Sequence, residues 1–319
     1  MTLYLFLLQT VAMLCDWRVR LFLASLCVCL YIMIASLISV TRMDARTLAE
    51  RRIHSADVMD LSGGMLGGHI DRRLMVKRSQ ERRIPSMSIR WCHHLGLKAA
   101  PGPVTALASA PGSGNTWLRY LLQQATGLST GSVYKDLALL KYGFPGESVF
   151  NGSVVAVKTQ EWGAVTRDKF DRAILLVRDP FSSILAEFNR RSGGHIGHAS
   201  KDKFNRDKGR YWQNFVINKA RDWEAMNTDW INNFQGPLLV IMYSDLIDKV
   251  EEQLRRVLDF LAVSVTKEQM ECTMSRKEGI YRRKKKPLKM AGQVFDTYLT
   301  NIVNLRKERV LKLARTKLR

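Results

Sequence analysis

One break in the hydrophobic pattern constrains this chain more than any other feature. Residues 106–127 read ALASAPGSGNTWLRYLLQQATG, an apolar run that opens into a Gly/Ser loop and then resumes at helical spacing. The pattern predicts the end of a buried strand at residues 107–110 and a tight turn over 111–115. A helix follows, with Leu118, Leu121, Leu122 and Ala125 on its inner face and Gly127 as its stop. The first N–H groups of such a helix have no partner within it, and its N-terminus carries positive partial charge. The loop is therefore suited to an anion, above all a phosphate.

Two further strand signals follow in order. Residues 154–162, VVAVKTQEW, deliver Lys158 and Glu161 to the carboxyl end of a β-branched strand, the end at which parallel sheets collect ligands. Residues 172–191, RAILLVRDPFSSILAEFNRR, read as a strand ending in Arg178 and a helix built on Ile184, Leu185 and Phe188. Asp179 is the expected N-cap of that helix and Pro180 its first residue. A guanidinium where a strand meets a helix N-terminus offers a planar fork to a phosphate. Strands alternate with helices from Pro103 onward, so the fold class is α/β with a mostly parallel sheet and a P-loop-like nucleotide-binding loop. The Walker spacing G-x-x-x-x-G-K-[ST] is not met, because no Lys follows Gly114 and the second Gly is misplaced. A nucleotide kinase is thus the weaker alternative.

The order APGSGNTW, VVAVKTQEW, ILLVRDPFSSILAEFNRR, LLVIMYSDL and KEGIYRRKKK resembles a sulfotransferase domain, most closely that of the WSC-domain-containing (WSCD) family, over residues 104–286. The resemblance implies 3′-phosphoadenosine 5′-phosphosulfate (PAPS) as co-substrate, with Ser113, Gly114, Asn115 and Thr116 wrapping its phosphosulfate behind Gly112. It implies Trp117 stacked on the adenine with Tyr243 near that base, and Arg178 on the 3′-phosphate, closed over by Lys277, Gly279, Arg282 and Arg283. Lys158 would neutralise the charge that builds as the sulfuryl group leaves the nucleotide.

The sequence departs from that pattern at three places. Cytosolic sulfotransferases have K-T-H, with His as the general base, where this chain has Lys158, Thr159 and Gln160, and a neutral amide cannot take a proton; the catalytic base expected instead is Glu161, accepting the proton of the acceptor hydroxyl. Strand alternation sends Gln160 and Glu161 to opposite sides unless the strand has already ended. Gly112 stands where many cytosolic sulfotransferases carry Lys, and Ala186 where they carry Ser; the Cys-rich WSC modules are missing, as expected of a short member. Gln160 and Gly112 favour the second reading, a catalytically impaired scaffold that keeps the nucleotide or glycan.

Residues 21–40 contain no charged side chain, and about twenty helical residues span a hydrocarbon core of about 30 Å. The expected organisation is a cytosolic tail over 1–20, a transmembrane signal anchor over 21–40, a stem over 41–98 and a sulfotransferase-like domain over 99–319. Arginines flank the apolar run on both sides, so the type II orientation, with the domain in the Golgi lumen, follows from the family and not from charge; a cleaved signal peptide is the competing reading. Of five cysteines, Cys92 and Cys272 fall in the part expected to be lumenal, where an oxidising environment permits them to pair. Asn151 in N-G-S is a glycosylation sequon.

The net charge of +21 implies polyanionic partners. With an anchor, a sequon and no nucleic-acid motif, the partners expected are an anionic nucleotide donor, a glycan or glycoprotein acceptor and membrane lipid around the anchor, not nucleic acid. No second His/Cys pair stands at ligand spacing beside His195 and His198, so no metal is expected. Residues 208–234 carry an aromatic stripe, Trp212, Phe215, Trp223 and Trp230, that reads as core packing. Residues 193–209 read as a polar gating loop in which His195 and His198 are bases by residue type alone.

Overall fold

A computed structural model describes residues 89–195, 197–281 and 294–317. The predicted tail, the membrane anchor and nearly all of the stem lie outside the described residues, as do Arg282 and Arg283. Among the described residues no helix is long and apolar enough to cross a membrane.

The break at the glycine loop does separate a strand from a helix. β1 (Thr105–Ala108) is fully buried and α1 (Asn115–Thr126) closes on Gly127 in the left-handed conformation, its N–H bonded to Gln123 O. The chain continues through β2 (Gly131–Ser132), α2 (Leu137–Lys141), β3 (Val157–Thr159), α3 (Ala164–Arg167), β4 (Arg172–Val177) and α4 (Pro180–Gly193). Beyond them come α5 (Lys201–Asn205), a 3-10 turn at Arg206–Gly209, α6 (Arg210–Asn233), β5 (Leu238–Met242), α7 (Tyr243–Asp248), α8 (Val250–Leu261), α9 (Lys267–Ser275) and α10 (Thr297–Lys317). The five strands lie in the order β2-β3-β1-β4-β5, and every neighbouring pair is parallel.

Alternation along the strands divides the core between two faces. Leu107, Ile174, Leu176 and Ile241 pack with Leu118, Leu121 and Leu122 of α1 and with Leu254 and Val257 of α8. Ala106, Ala108, Leu175, Val177 and Val240 pack with Trp223, Met226 and Trp230 of α6 and Val310 of α10. Helices on both faces account for the continuous apolar runs in the strands.

Three sequence boundaries shift. β1 stops at Ala108 because Asn115 Nδ2 donates to Leu107 O at 2.8 Å and to Ser109 Oγ at 3.1 Å, turning the chain into the loop. β3 stops at Thr159 because the Gln160 N–H is diverted to the Tyr134 hydroxyl at 3.0 Å. Residues 89–98, assigned to the stem, belong with the domain: Gly96 N donates to Gly127 O, Lys98 N to Ser153 O, and Cys92 is disulfide-bonded to Cys272. The expected gating loop is also shorter than the sequence implied, because α5 and the 3-10 turn occupy much of it.

Behind α1 lies a fully buried ion pair, Arg119 to Glu147, at 2.5 Å. Arg119 also donates to Thr130 Oγ1 at 2.9 Å and lies over the Phe144 ring, 4.4 Å from its centroid. Burial pulls its pKa down while Glu147 opposes that shift. Removing one partner would leave an uncompensated buried charge, so Glu147→Ala is expected to cost about 3–5 kcal/mol. Urea unfolding at constant slope checks this, with Arg119→Met/Glu147→Leu expected to regain most of the loss.

Candidate functional site

In this strand order the chain leaves β1 towards β3 and β2 and then crosses to β4 on the other side of β1. Such a switch point opens a crevice beyond the carboxyl ends of the strands. The β1 loop fills that position, with Lys158 of β3 to one side and Arg178, just after β4, to the other.

Two glycines shape the loop. Gly112 has φ +80°, and a Cβ there would lie 2.1 Å from Ser183 O, on α4. Gly114 has φ +96°, and a Cβ there would lie 2.4 Å from the Tyr243 ring. The lysine that the sulfotransferase resemblance would put at the Gly112 position could not be accommodated on this backbone. Ser113 Oγ is buried without a hydrogen-bond partner. Trp117 N and Leu118 N both donate to Gly114 O, at 3.0 and 3.1 Å, so the N–H groups of Asn115 and Thr116 precede the helix's own bonding. The Asn115 side chain is turned inward as a brace, which leaves only its N–H to face a ligand.

Among the described residues the flanking cations have no carboxylate partner. Arg178 Nη1 donates to Gly112 O at 2.7 Å, and its Cζ lies 4.4 Å from the Tyr243 ring centroid. Burial lowers its pKa, and among the described residues no ion pair holds it. Lys158 is 7% exposed, with Nζ 5.6 Å from the Tyr134 ring centroid. Its ammonium is pushed down to about 8, by burial first and then by Arg119, with Glu147 and Asp136 acting against the shift. A buried cation without a direct counter-ion costs stability, and a bound anion would offset that cost.

Helix α6 holds both strand ends. Trp223 Nε1 donates to Arg178 O and Trp230 Nε1 to Glu161 O, each at 3.0 Å. The aromatic stripe is thus core on its ring faces and a clamp at its indole N–H groups.

Trp117 is placed differently from its implied role. Its ring is 2% exposed within the core around α1, and its Nε1 donates to Lys277 O at 2.7 Å, so no ring face is open to an adenine. Tyr243 touches the loop, lies beneath Arg178 and meets Trp117 edge-on at 6.1 Å. Gly279, at φ +52°, sits against Tyr120, where a Cβ would come within 2.7 Å of the ring. Glu161 lies beyond β3 with Oε2 3.5 Å from Thr166 Oγ1. After burial, its charge is what raises the Tyr134 hydroxyl.

Sequence reasoning missed Asp136. Its Oδ1 caps α2 by accepting from Ala138 N and Leu139 N, both at 3.1 Å, and its Oδ2 lies 2.8 Å from His195 Nε2. Burial works against ionisation there, but the His195 hydrogen bond and charge, the Leu139 N–H and Lys158 hold the carboxyl well below its usual range. Asp followed by an apolar helical run is an N-cap signal legible in sequence. That the same carboxylate meets a histidine 59 positions away is not.

No family model matches the chain. It is 46% identical over 283 residues to the WSCD family member CG9164 of Drosophila melanogaster, covering 77% of this chain and 87% of the relative. It is 57% identical over 195 residues to the WSCD family member AAEL009094 of Aedes aegypti, covering 61% and 60%. Similar solved structures include a mouse sulfotransferase complexed with PAP, at 14% identity and TM-score 0.47 over 69% of this chain and 88% of that one. A retinol dehydratase in complex with androsterone and inactive cofactor PAP follows, at 16% identity and TM-score 0.43 over 65% and 80%. Structural likenesses that loose do not fix residue roles.

The Lys158 environment makes a signed prediction. Unfolded, the ammonium keeps its proton up to 10.5; folded, it loses it from about 8, so the folded chain bears the full cost below pH 8 and none above pH 10.5. Lys158→Met should therefore be more stable than wild type at pH 7, by about 1–3 kcal/mol. That advantage should shrink as pH rises through this window, as urea titrations at pH 7, 8.5 and 10 would show.

Proposed function

The chain belongs to the WSCD family, and from that premise we propose that it is a membrane-anchored sulfotransferase transferring the sulfuryl group of PAPS to a carbohydrate hydroxyl. The observation that carries this reading is the pair of buried cations, Lys158 and Arg178, on either side of a glycine loop and without carboxylate partners among the described residues. That loop presents helix-start N–H groups and an unsatisfied Ser113 hydroxyl. These groups suit an anion with phosphate-like oxygens, and the absent Cβ atoms at Gly112 and Gly114 let the backbone approach it.

When bound, PAPS supplies an activated sulfuryl group. The N–H groups of Asn115 and Thr116, with Ser113 Oγ, hold its phosphosulfate end, and Arg178 takes the 3′-phosphate. Lys158 offsets the negative charge that develops on the departing phosphate oxygen. Lys277 and Gly279 lie on the turn that covers Trp117, where they can close over the nucleotide. The acceptor is a glycan, sialylated as the family suggests, and the excess of basic residues favours an anionic one.

A Golgi lumenal setting with type II orientation completes the reading. It is supported by the uncharged run at residues 21–40, by the Cys92–Cys272 disulfide and by the exposed Asn151, whose Oδ1 accepts from Ser153 N in a surface turn. Endoglycosidase treatment of protein from secretory-pathway cells should shift its mobility, and Asn151→Gln should abolish that shift.

The test of the chemistry is stabilisation by 3′-phosphoadenosine 5′-phosphate (PAP) and not by ATP, together with sulfate transfer from radiolabelled PAPS to a glycan panel. Arg178→Ala is expected to raise the donor KM about tenfold or more, and Lys158→Ala to lower kcat about 10²- to 10³-fold. PAP binding with no transfer to any acceptor would make the protein a nucleotide-binding scaffold. Absence of PAP binding would end the sulfotransferase reading.

A further inference from the structure

We propose that Arg190, braced by the buried Glu187, selects the acceptor by gripping an oxyanion that the acceptor carries. The inference rests on the sulfotransferase reading and deepens it, assigning acceptor specificity to the far end of α4.

Glu187 is a buried carboxylate, 1% exposed, that the proposed chemistry does not use. It lies beside the glycine loop, where its N would stand 3.0 Å from a Cβ on Gly112. Two guanidiniums hold it. Arg190 donates from Nε to Oε2 at 2.7 Å and from Nη2 to Oε1 at 2.8 Å, and Arg191 donates from Nε to Oε1 at 2.9 Å. Burial alone would raise the Glu187 carboxyl, but the hydrogen bonds and charges of Arg190 and then Arg191 bring it down to about 2. One carboxylate between two guanidiniums leaves a positive charge in excess. Arg191 turns towards α6, with its Cζ 5.7 Å from the Phe215 ring centroid.

Glu187 occupies the side edge of the Arg190 guanidinium, Nε with Nη2. The end edge, Nη1 with the second hydrogen of Nη2, has no hydrogen-bond partner among the described residues, and the side chain is 37% exposed. Two donors in a fixed plane suit a second oxyanion held in bidentate fashion. The brace on the first edge removes the rotamer freedom that such a grip would otherwise cost.

The contacts around α4 set where that edge lies. Ser183 and Glu187 put one face of the helix against Gly112, and Arg190 continues the same face one turn farther. It stands about 15 Å from the helix start at Pro180, at about 1.5 Å per residue. Gly194 N closes the last turn on Arg190 O at 2.8 Å, and His195 then meets Asp136 at 2.8 Å. The end of α4 is thereby docked on the segment before α2, whose Tyr134 ring centroid lies 5.6 Å from Lys158 Nζ. Consistent with that placement, Arg190 acts electrostatically on Lys158 and Asp136 on Arg190, whereas the charges that act on Arg178 are Tyr243 and Asp179. Helix α4 therefore has a donor end at Arg178 and an acceptor end at Arg190. A sugar whose hydroxyl attacks sulfur beside Lys158 places its oxyanion on the Arg190 edge.

The experiment uses the full chain, radiolabelled PAPS and four acceptors built on one core: lactose, 3′-sialyllactose, the methyl ester of 3′-sialyllactose and 3′-sulfolactose. PAP affinity is measured for every variant. The wild type should favour a carboxylated or sulfated acceptor over lactose and the methyl ester by about tenfold or more in kcat/KM, and the better of the two identifies the oxyanion. Arg190→Gln leaves Glu187 paired with Arg191, so no buried carboxylate is stranded. It should raise the KM of the anionic acceptor about ten- to hundredfold, keep PAP affinity within about twofold and remove most of the preference over lactose. Arg190→Lys keeps the charge without the fork and should recover only part of that loss. Glu187→Gln removes the brace and should raise the same KM about threefold or more at unchanged PAP affinity. An unchanged preference in Arg190→Gln, an equal rise in KM for lactose, or a PAP affinity that falls in step with KM would each overturn the assignment. So would a wild type that binds PAP but shows no preference for an anionic acceptor, transfer to none of the four included. A wild type that does not bind PAP would instead remove the underlying reading, and this inference with it.

Discussion

Arg178 reaches from the end of β4 to the carbonyl of Gly112, and the geometry of the cleft follows from that contact. It joins the strand on one side of β1 to the loop that leaves β1, and it is possible only because residue 112 has no side chain to collide with α4. Tyr243, at the start of α7, packs into the space left by Gly114 and lies beneath the guanidinium. Two chain segments far apart in sequence, the β4–α4 junction and the start of α7, thus converge on a five-residue loop, and the helix N-terminus behind it is left pointing at the crevice.

The scaffold around this contact is built to keep cations where they are unfavourable. Lys158 is buried against Tyr134 with no carboxylate of its own among the described residues, while Glu147 and Asp136 are committed to Arg119 and His195. A fold selected for stability alone would pair or replace such a lysine; one that receives an anion keeps it. The strand ends that carry the cleft are restrained by the indole N–H groups of Trp223 and Trp230, so α6 contributes positional accuracy as well as apolar area.

The far side of α1 is closed by a second set of long-range ties. Trp117 and Tyr120 donate to the carbonyls of Lys277 and Arg276, and the Cys92–Cys272 disulfide fastens the end of α9 to the segment that enters the domain. Helix α1 therefore connects the loop at its N-terminus to the covering turn along its flank.

Much of this was legible in the chain. The glycine loop, the apolar face of α1, the Gly127 stop, the Asp179–Pro180 helix start and the core role of the aromatic stripe all follow from local rules, because capping, periodicity and φ preferences act over a few residues. Lys158 and Arg178 were visible as strand-end cations, since parallel topology sends strand ends to one edge. Strand lengths were misjudged where a side chain, Asn115 or Tyr134, intercepted the backbone. What only the tertiary structure decided is which charges meet: Asp136 with His195, Arg119 with Glu147, and Lys158 with no carboxylate of its own among the described residues. Those pairings depend on loops closing across tens of residues, and the electrostatic character of a side chain depends on its solvent and neighbours, neither of which is written in the residues beside it.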